Sequence, residues 1–427
     1  VTKQSSINLR DSAAGIFAAA VAASDPAAAL RRRLQTTPLP SPKQSGRSIL
    51  IAIGKAAPAM MAEALKHVQG DHVALVVTHA ENQTDVDGAT VLNCAHPVPD
   101  ERGLKAGRQI IALLRSARKQ DQIIALISGG GSALVPVPVE GLTLSDKIAV
   151  NEVLLSSGLD IARMNLVRQH LSQLKGGGFL RHGSLAPVTA FILSDVIGDD
   201  LRAVASGPTA APIGSHADAR RTCIEAGIWH RLPKSARAHL EHSIPEQIME
   251  AEATNHLIGS NAISLEAAHS CAVQTCRAEI VSNALIGEVS DAAEQIWNAA
   301  RTATADCPVA LLFGGETTVC VQGSGRGGRN QELALRVAQL AEDRSIPDTW
   351  AFLSGGTDGR DGPTSAAGAI VDARTFDRIR RSGHDPAALL ANNDSHTALS
   401  LSGDLLVTGA TGTNVADIQV LLLGADT

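Results

Sequence analysis

Residues 122–134 read QIIALISGGGSAL, a short apolar run that stops at a serine, three glycines and a second serine. Such a run, closed by glycine, predicts a buried strand feeding a tight turn. The same punctuation recurs along the chain. Residues 48–53 run into Gly54 and Lys55, 188–193 into Ser194 and Asp195, 309–313 into GGE, and 350–353 into SGGTDG. Helical periodicity fills the intervals, over 11–23, 56–67, 102–118, 145–156, 160–175, 261–271 and 288–303. Strands alternating with helices predict the α/β class with a mostly parallel sheet, whose ligands sit beyond the carboxyl ends of the strands. The first half reads as a doubly wound domain over 1–240. Pro233 and Pro245 flank a loosely periodic stretch, after which a second α/β domain is expected over 250–427.

Composition narrows the classes of function. With 44% hydrophobic and 19% charged residues in 427, the chain predicts a globular protein with a large core. Aromatics are 2% with no tyrosine, and the net charge is -6, so neither base stacking nor a polyanion footprint is supported, and nucleic acid is not an expected partner. No apolar run approaches the roughly 18 to 20 residues of a membrane helix, and the N-terminus lacks the order of a signal peptide. A cytoplasmic location without membrane attachment is expected. Cys94, Cys223, Cys271, Cys276, Cys307 and Cys320 are scattered and read as reduced core residues, without the paired spacing of a zinc site.

Between Gly314 and Glu332 the chain reads GGETTVCVQGSGRGGRNQE. Residues 317–321 alternate like a strand paired with its predecessor as a hairpin, and helical signal begins near Asn330. A glycine loop would thus deliver Arg326 and Arg329 to a helix start, where backbone N–H groups, the helix dipole and arginine forks all suit carboxylate or phosphate. Gly323, Gly325 and Gly328 also fit GxGxxG. The dinucleotide reading then requires a ribose-binding acid at a strand end about 20 residues on, and none stands there. A purely structural loop is the plain alternative.

Three further constellations suit anions. Ser128, Gly129, Gly130, Gly131 and Ser132 offer a row of N–H donors that could cradle phosphate, without the spacing or lysine of a Walker loop; a tight strand exit would look the same. Over 160–175, Arg168, Ser172 and Lys175 share a helical face, with Lys175 in the last turn before Gly176. A lysine is favoured there by the dipole alone, or forms a cationic pocket wall with Arg168. Lys55, beside a helix start, is mildly unfavourable unless an anion joins it. Acids near strand ends are Asp195, Asp199, Asp200, Glu316 and Asp358; the first and last are the metal candidates, while turn formation accounts equally well for Asp199 and Asp200.

Taken together, these motifs resemble the type-2 glycerate kinase family, whose C-terminal module is called MOFRL and whose members often carry the label hydroxypyruvate reductase. The resemblance covers nearly the whole chain. It rests on IGKAAPAM at 53–60, HPVPD at 96–100, ISGGGSAL at 127–134, VRQHLSQLKGGG at 167–178 and the LSDVIGDDL to ASGPT stretch at 193–209. GGETTV, GGRNQELAL, SGGTDGRDGPTSAAGAIVD and TGTNVAD complete it. It implies a Rossmann-like three-layer N-terminal domain and a smaller α/β domain. It also implies ATP- and magnesium-dependent phosphorylation of D-glycerate to 2-phosphoglycerate in a cleft between the two domains, with a homodimer allowed. By motif, Lys55 and Arg329 carry catalysis, and Gly129 to Ser132 would hold phosphate. Ser128, Arg168, Lys175, Glu316, Arg326 and Asn330 complete the expected substrate and phosphate set, and Asp195 and Asp358 stay physical candidates for metal. Three departures stand out: Ser365 where the family pattern has aspartate, His396 to Ala398 where aromatics are expected, and Ala410 in place of proline. Two rival readings stand beside it, an NAD(P)H-dependent hydroxypyruvate reductase and a non-catalytic sugar-acid binding protein.

Overall fold

In a computed structural model, residues 8–82, 84–183, 185–242, 252–303, 308–344 and 349–424 are described. Cys307 and Pro245 lie outside them. The chain forms two compact units, one of residues 26–195 and 199–258, the other of 1–25, 196–198 and 259–427.

The first unit is built on six strands: β1 Ser48–Ile53, β2 His72–His79, β3 Thr90–Cys94, β4 Gln122–Ile127, β5 Val188–Leu193 and β6 Ala253–Gly259. Their order is β3-β2-β1-β4-β5-β6, and β1, β2, β3, β4 and β5 run parallel. Every residue of β1, β4 and β5 is buried, which is why these runs read as continuous apolar stretches rather than alternating ones. Ile53 pairs with Ile127, and Ile127 with Ile192, so the three carboxyl ends finish almost level. The order reverses between β1 and β4, the switch point at which ligands bind in such sheets. A helical cluster completes the unit. Leu144–Leu155, Ile161–His170, His216–Glu225 and Lys234–Glu241 pack Val150, Leu154, Leu166, Val167, Cys223 and Leu240 into one core.

The second unit holds β7 Arg277–Glu288, β8 Val309–Thr318, β9 Trp350–Gly356, β10 Gly368–Asp372, β11 Leu405–Leu406 and β12 Asp417–Leu423, ordered β11-β10-β9-β12-β8-β7. Only β7 and β8 pair in parallel; the other four pairings are antiparallel, contrary to the mostly parallel expectation. Along β8, Val309, Leu311 and Phe313 enter the core shared with Val289–Thr302 and Arg329–Asp343, while Ala310 and Leu312 enter the opposite core with Ile16, Phe17 and Leu265. This two-residue alternation makes the unit three layers deep.

Several expectations are corrected. The helix Leu9–Ala23 packs with the second sheet and β6 completes the first, so a division at 1–240 and 250–427 cuts both units. Apolar stripes announce that a face is buried but not which partner buries it. The expected hairpin partner at 317–321 is absent, since β8 runs unbroken to Thr318 and an irregular loop follows. The helix expected over 160–175 ends at His170; Leu171 caps it, and a bridge between Pro138 and Ser172 turns the chain away. Of the cysteines, Cys94 and Cys223 are buried but Cys320 is exposed, because the loop after β8 runs on the surface.

Candidate functional site

At the switch point of the first sheet, the loops after β1 and β4 are tied together. The Lys55 N–H donates to the Gly129 carbonyl at 3.0 Å, and the Ser128 N–H to the Ile53 carbonyl at 2.9 Å. Ser128 is 1% exposed, and its Oγ accepts from the N–H of Ala56, just before the helix Ala57–Leu65, at 3.1 Å. That hydroxyl is therefore engaged in tying the loop after β4 to the loop after β1. Gly130 has φ +83°, and a Cβ there would lie 3.2 Å from Lys55 Cγ and 3.4 Å from His96 Nε2. The N–H groups of Gly130, Gly131 and Ser132 meet no acceptor among the described residues. Asp195 closes the rim behind Gly129, where any Cβ would strike its carboxylate. Burial raises the Asp195 carboxyl above its usual range, and the Lys55 ammonium opposes that.

Next to this loop lies a cavity of about 280 Å³ lined by His96, Ser132, Lys147, Asn151, Arg168 and Lys175 among others. Among the described residues its lining holds three basic side chains and no carboxylate. Asn151 and Asn165 orient Arg168, accepting at 2.5 and 3.5 Å, and the Leu171 carbonyl accepts from Lys147 Nζ at 3.2 Å. Lys175 is 5% exposed and places Nζ 2.6 Å from Ser132 Oγ. Burial first, then the neighbouring cations, pushes Lys147 down to about 7 and Lys175 well below the usual lysine range. Lys175 lies five residues past the helix end at His170, so it is no last-turn lysine, yet it joins Arg168 on the same wall. Lys147 belongs to no motif, and a lysine near the start of the periodic stretch 145–156 is its only trace in the sequence.

In the second unit Arg329 opens the helix Arg329–Asp343. Its Nε and Nη2 donate to Asp417 at 2.6 and 2.9 Å, and Nη1 lies 3.1 Å from Glu316. Asp417 is fully buried, and burial raises its carboxyl while Arg329 opposes that. Asp361 caps the same helix from a distance, accepting from the Asn330 and Gln331 N–H groups at 3.1 and 2.8 Å. Neither Asp361 nor Asp417 was singled out in the sequence, since an acid that serves a helix start 31 or 88 residues away leaves no local pattern. Asn330 is 0% exposed and accepts from Ser354 at 2.6 Å, so it ties the helix to β9 instead of facing a ligand.

The glycine loop before this helix is also internally committed. Gln322 and Gly323 donate to Asn393 Oδ1 at 2.8 and 2.9 Å, Ser324 to Asn392 Oδ1 at 3.0 Å, Gly325 to the Asn392 carbonyl at 2.9 Å, and Arg326 to Asp394 Oδ1 at 3.1 Å. At Gly323 and Gly325 a Cβ would collide with the Asn392 backbone, so these glycines serve close packing and not a phosphate cradle. Arg326 is exposed, its guanidinium 3.0 Å from the Pro363 carbonyl. Asp358 accepts from the Arg360 N–H at 3.0 Å, and Ser365 is exposed on the loop that follows. Among the described residues no three His, Cys, Asp or Glu side chains are grouped to hold a metal ion.

Comparison with known proteins meets this geometry. Residues 12–241 match a domain family of unknown function, DUF4147, and residues 309–417 match the MOFRL family. A glycerate 2-kinase of Pyrococcus horikoshii is 38% identical over 88% of this chain and 88% of its own. The chain belongs to the glycerate kinase family. The crystal structure of a glycerate kinase from Thermotoga maritima is similar at 36% identity, with a TM-score of 0.88, over 97% of this chain and 99% of that one. A protein of Agrobacterium vitis, provisionally named a hydroxypyruvate reductase, is 39% identical over 96% of this chain and 93% of its own. Within the glycerate kinase family, the oxidoreductase name is thus a second label on the same fold. No single helix among the described residues is long and apolar enough to cross a membrane.

Proposed function

We propose that this chain is a D-glycerate 2-kinase that transfers the terminal phosphoryl group of ATP to the 2-hydroxyl of D-glycerate. The observation that carries the reading is the cavity with Lys147, Arg168 and Lys175, lined by no carboxylate among the described residues, beside the amides of Gly130 to Ser132 that meet no acceptor among them. A small hydroxy-acid suits such a wall: its carboxylate would meet the Arg168 fork, while the loop amides and Lys55 stabilise phosphate oxygens. Catalysis would then rest on positioning and electrostatics. The role carried over by motif to Arg329 remains part of the proposal.

Magnesium would neutralise phosphate charge when bound. Asp195 fits such an ion, since one hard carboxylate beside a phosphate loop is what a metal held mainly by phosphate and water requires, and its burial leaves the carboxylate short of countercharge. Asp358, engaged by the Arg360 N–H in its own turn, has less support. The reductase reading loses its one motif, because the amides of the GxGxxG loop are taken by Asn392, Asn393 and Asp394.

Replacing Arg168 by glutamine tests the assignment. Loss of a charged hydrogen bond of about 1.5–3 kcal/mol should raise KM for D-glycerate roughly 10- to 100-fold. An unchanged KM would remove the cavity from the substrate site.

A further inference from the structure

Lys175, Ser132 and Ser206 form a chain of contacts that anion binding does not require. Lys175 Nζ stands 2.6 Å from Ser132 Oγ, and Ser206 Oγ donates to Ser132 Oγ at 3.0 Å. Asn165 Oδ1, 3.3 Å from Ser206 Oγ, is the more distant, alternative acceptor for that one hydroxyl proton. Ser206 is held there at a cost: Ala205 and Ser206 have φ +49° and +61°, two consecutive left-handed residues with a Cβ. Strain of this kind collects at functional sites. The Ser206 carbonyl is fixed as well, accepting from the Gly176 N–H at 2.9 Å.

We propose that these three residues form a proton relay in which Ser132 takes the proton of the substrate hydroxyl and passes its own to Lys175, with Ser206 and Lys175 positioning Ser132. The inference rests on the kinase reading above. As the substrate oxygen forms its bond to the terminal phosphorus, the bond from that phosphorus to the ADP oxygen breaks and ADP leaves with the electron pair. The substrate proton moves to Ser132 Oγ, the Ser132 proton moves to Lys175 Nζ, and solvent removes it after turnover.

The surroundings keep an uncharged amine available. Lys147 and Arg168 share the cavity lining with Lys175 and act on it electrostatically, His96 lines the same cavity, and the Arg181 guanidinium donates to the Lys175 carbonyl at 2.8 Å. Among the described residues no carboxylate lines the cavity to hold a third positive charge. With the amine neutral, the 2.6 Å contact reverses, and the hydroxyl donates to the nitrogen lone pair.

Two arms test the relay. In the first, kcat against pH is measured for wild type, K175R and S132A, with thermal melting as the folding control. The relay predicts an acid limb in wild type that K175R lacks, and a fall in kcat of about 10²- to 10⁴-fold in both variants. Full kcat in K175R, with only KM altered in a K175Q variant, would mean that Lys175 acts as a charge and would overturn the relay. The second arm needs no kinase turnover: intact mass after diisopropyl fluorophosphate treatment should show one adduct on Ser132, lost in K175R. Labelling without any phosphorylation of glycerate would sink the kinase reading while leaving the activated hydroxyl in place. Kinase turnover without lysine-dependent labelling would sink the relay alone.

Discussion

Lys55 and Arg329 look alike in sequence, each a basic residue at a glycine-rich junction between strand and helix, but their folded surroundings differ. The Lys55 backbone holds its turn while the side chain is partly exposed, so K55A should slow turnover strongly with little effect on stability. Arg329 instead neutralises the buried Asp417 through two hydrogen bonds. Removing one partner of a buried pair strands the other charge, at a cost of about 3–5 kcal/mol. Chemical denaturation of R329A should therefore show a loss of about 3 kcal/mol, and D417N in that background should recover part of it. Equal stability of K55A and R329A would contradict this distinction. Motif matching found both residues but could not separate them, because Asp417 lies 88 positions from Arg329.

At the level of elements, the helix Pro26–Thr36 is pinned to the helix Ala57–Leu65 by Arg31, whose Nε and Nη2 donate to Glu63 at 2.8 and 2.7 Å. Arg31, followed by Lys66 and His67, holds the Glu63 carboxyl down at about 2 against burial. A depressed carboxyl stabilises the fold above its unfolded value of 4.5 and loses that contribution as pH falls through about 2. E63Q should flatten the acid side of the stability curve over roughly pH 5 to 2, read from denaturant midpoints. The two glycine loops give a sharper contrast. G130A, at φ +83°, should impair ATP use more than folding, whereas G325A, meeting the Asn392 backbone, should lower the melting temperature first. Apolar runs with glycine ends made the strands and the ligand-facing ends legible in sequence. Strand direction in the second sheet was not, because the antiparallel pairings join strands whose order in space does not follow the chain. The helix over 160–175 was overextended because Leu171 and Leu174 keep the helical period while packing from a turn.

For the molecule as a whole, the reading of an acid-binding phosphotransferase rests on features that composition alone would hide. A net charge of -6 gives no hint of a cavity lined by three basic side chains and, among the described residues, no acid. Helical spacing brought Arg168 and Lys175 into view and a strand-to-helix junction brought Lys55, while the fold brought Lys147 beside Arg168 and Lys175. The most direct test incubates the protein with magnesium, ATP and D-glycerate and follows the products by phosphorus NMR, while a parallel sample with hydroxypyruvate and NADH is followed by absorbance. The account predicts 2-phosphoglycerate and ADP in equal amounts, with no hydroxypyruvate-dependent loss of NADH. Oxidation of NADH with no phosphorylated glycerate would contradict it.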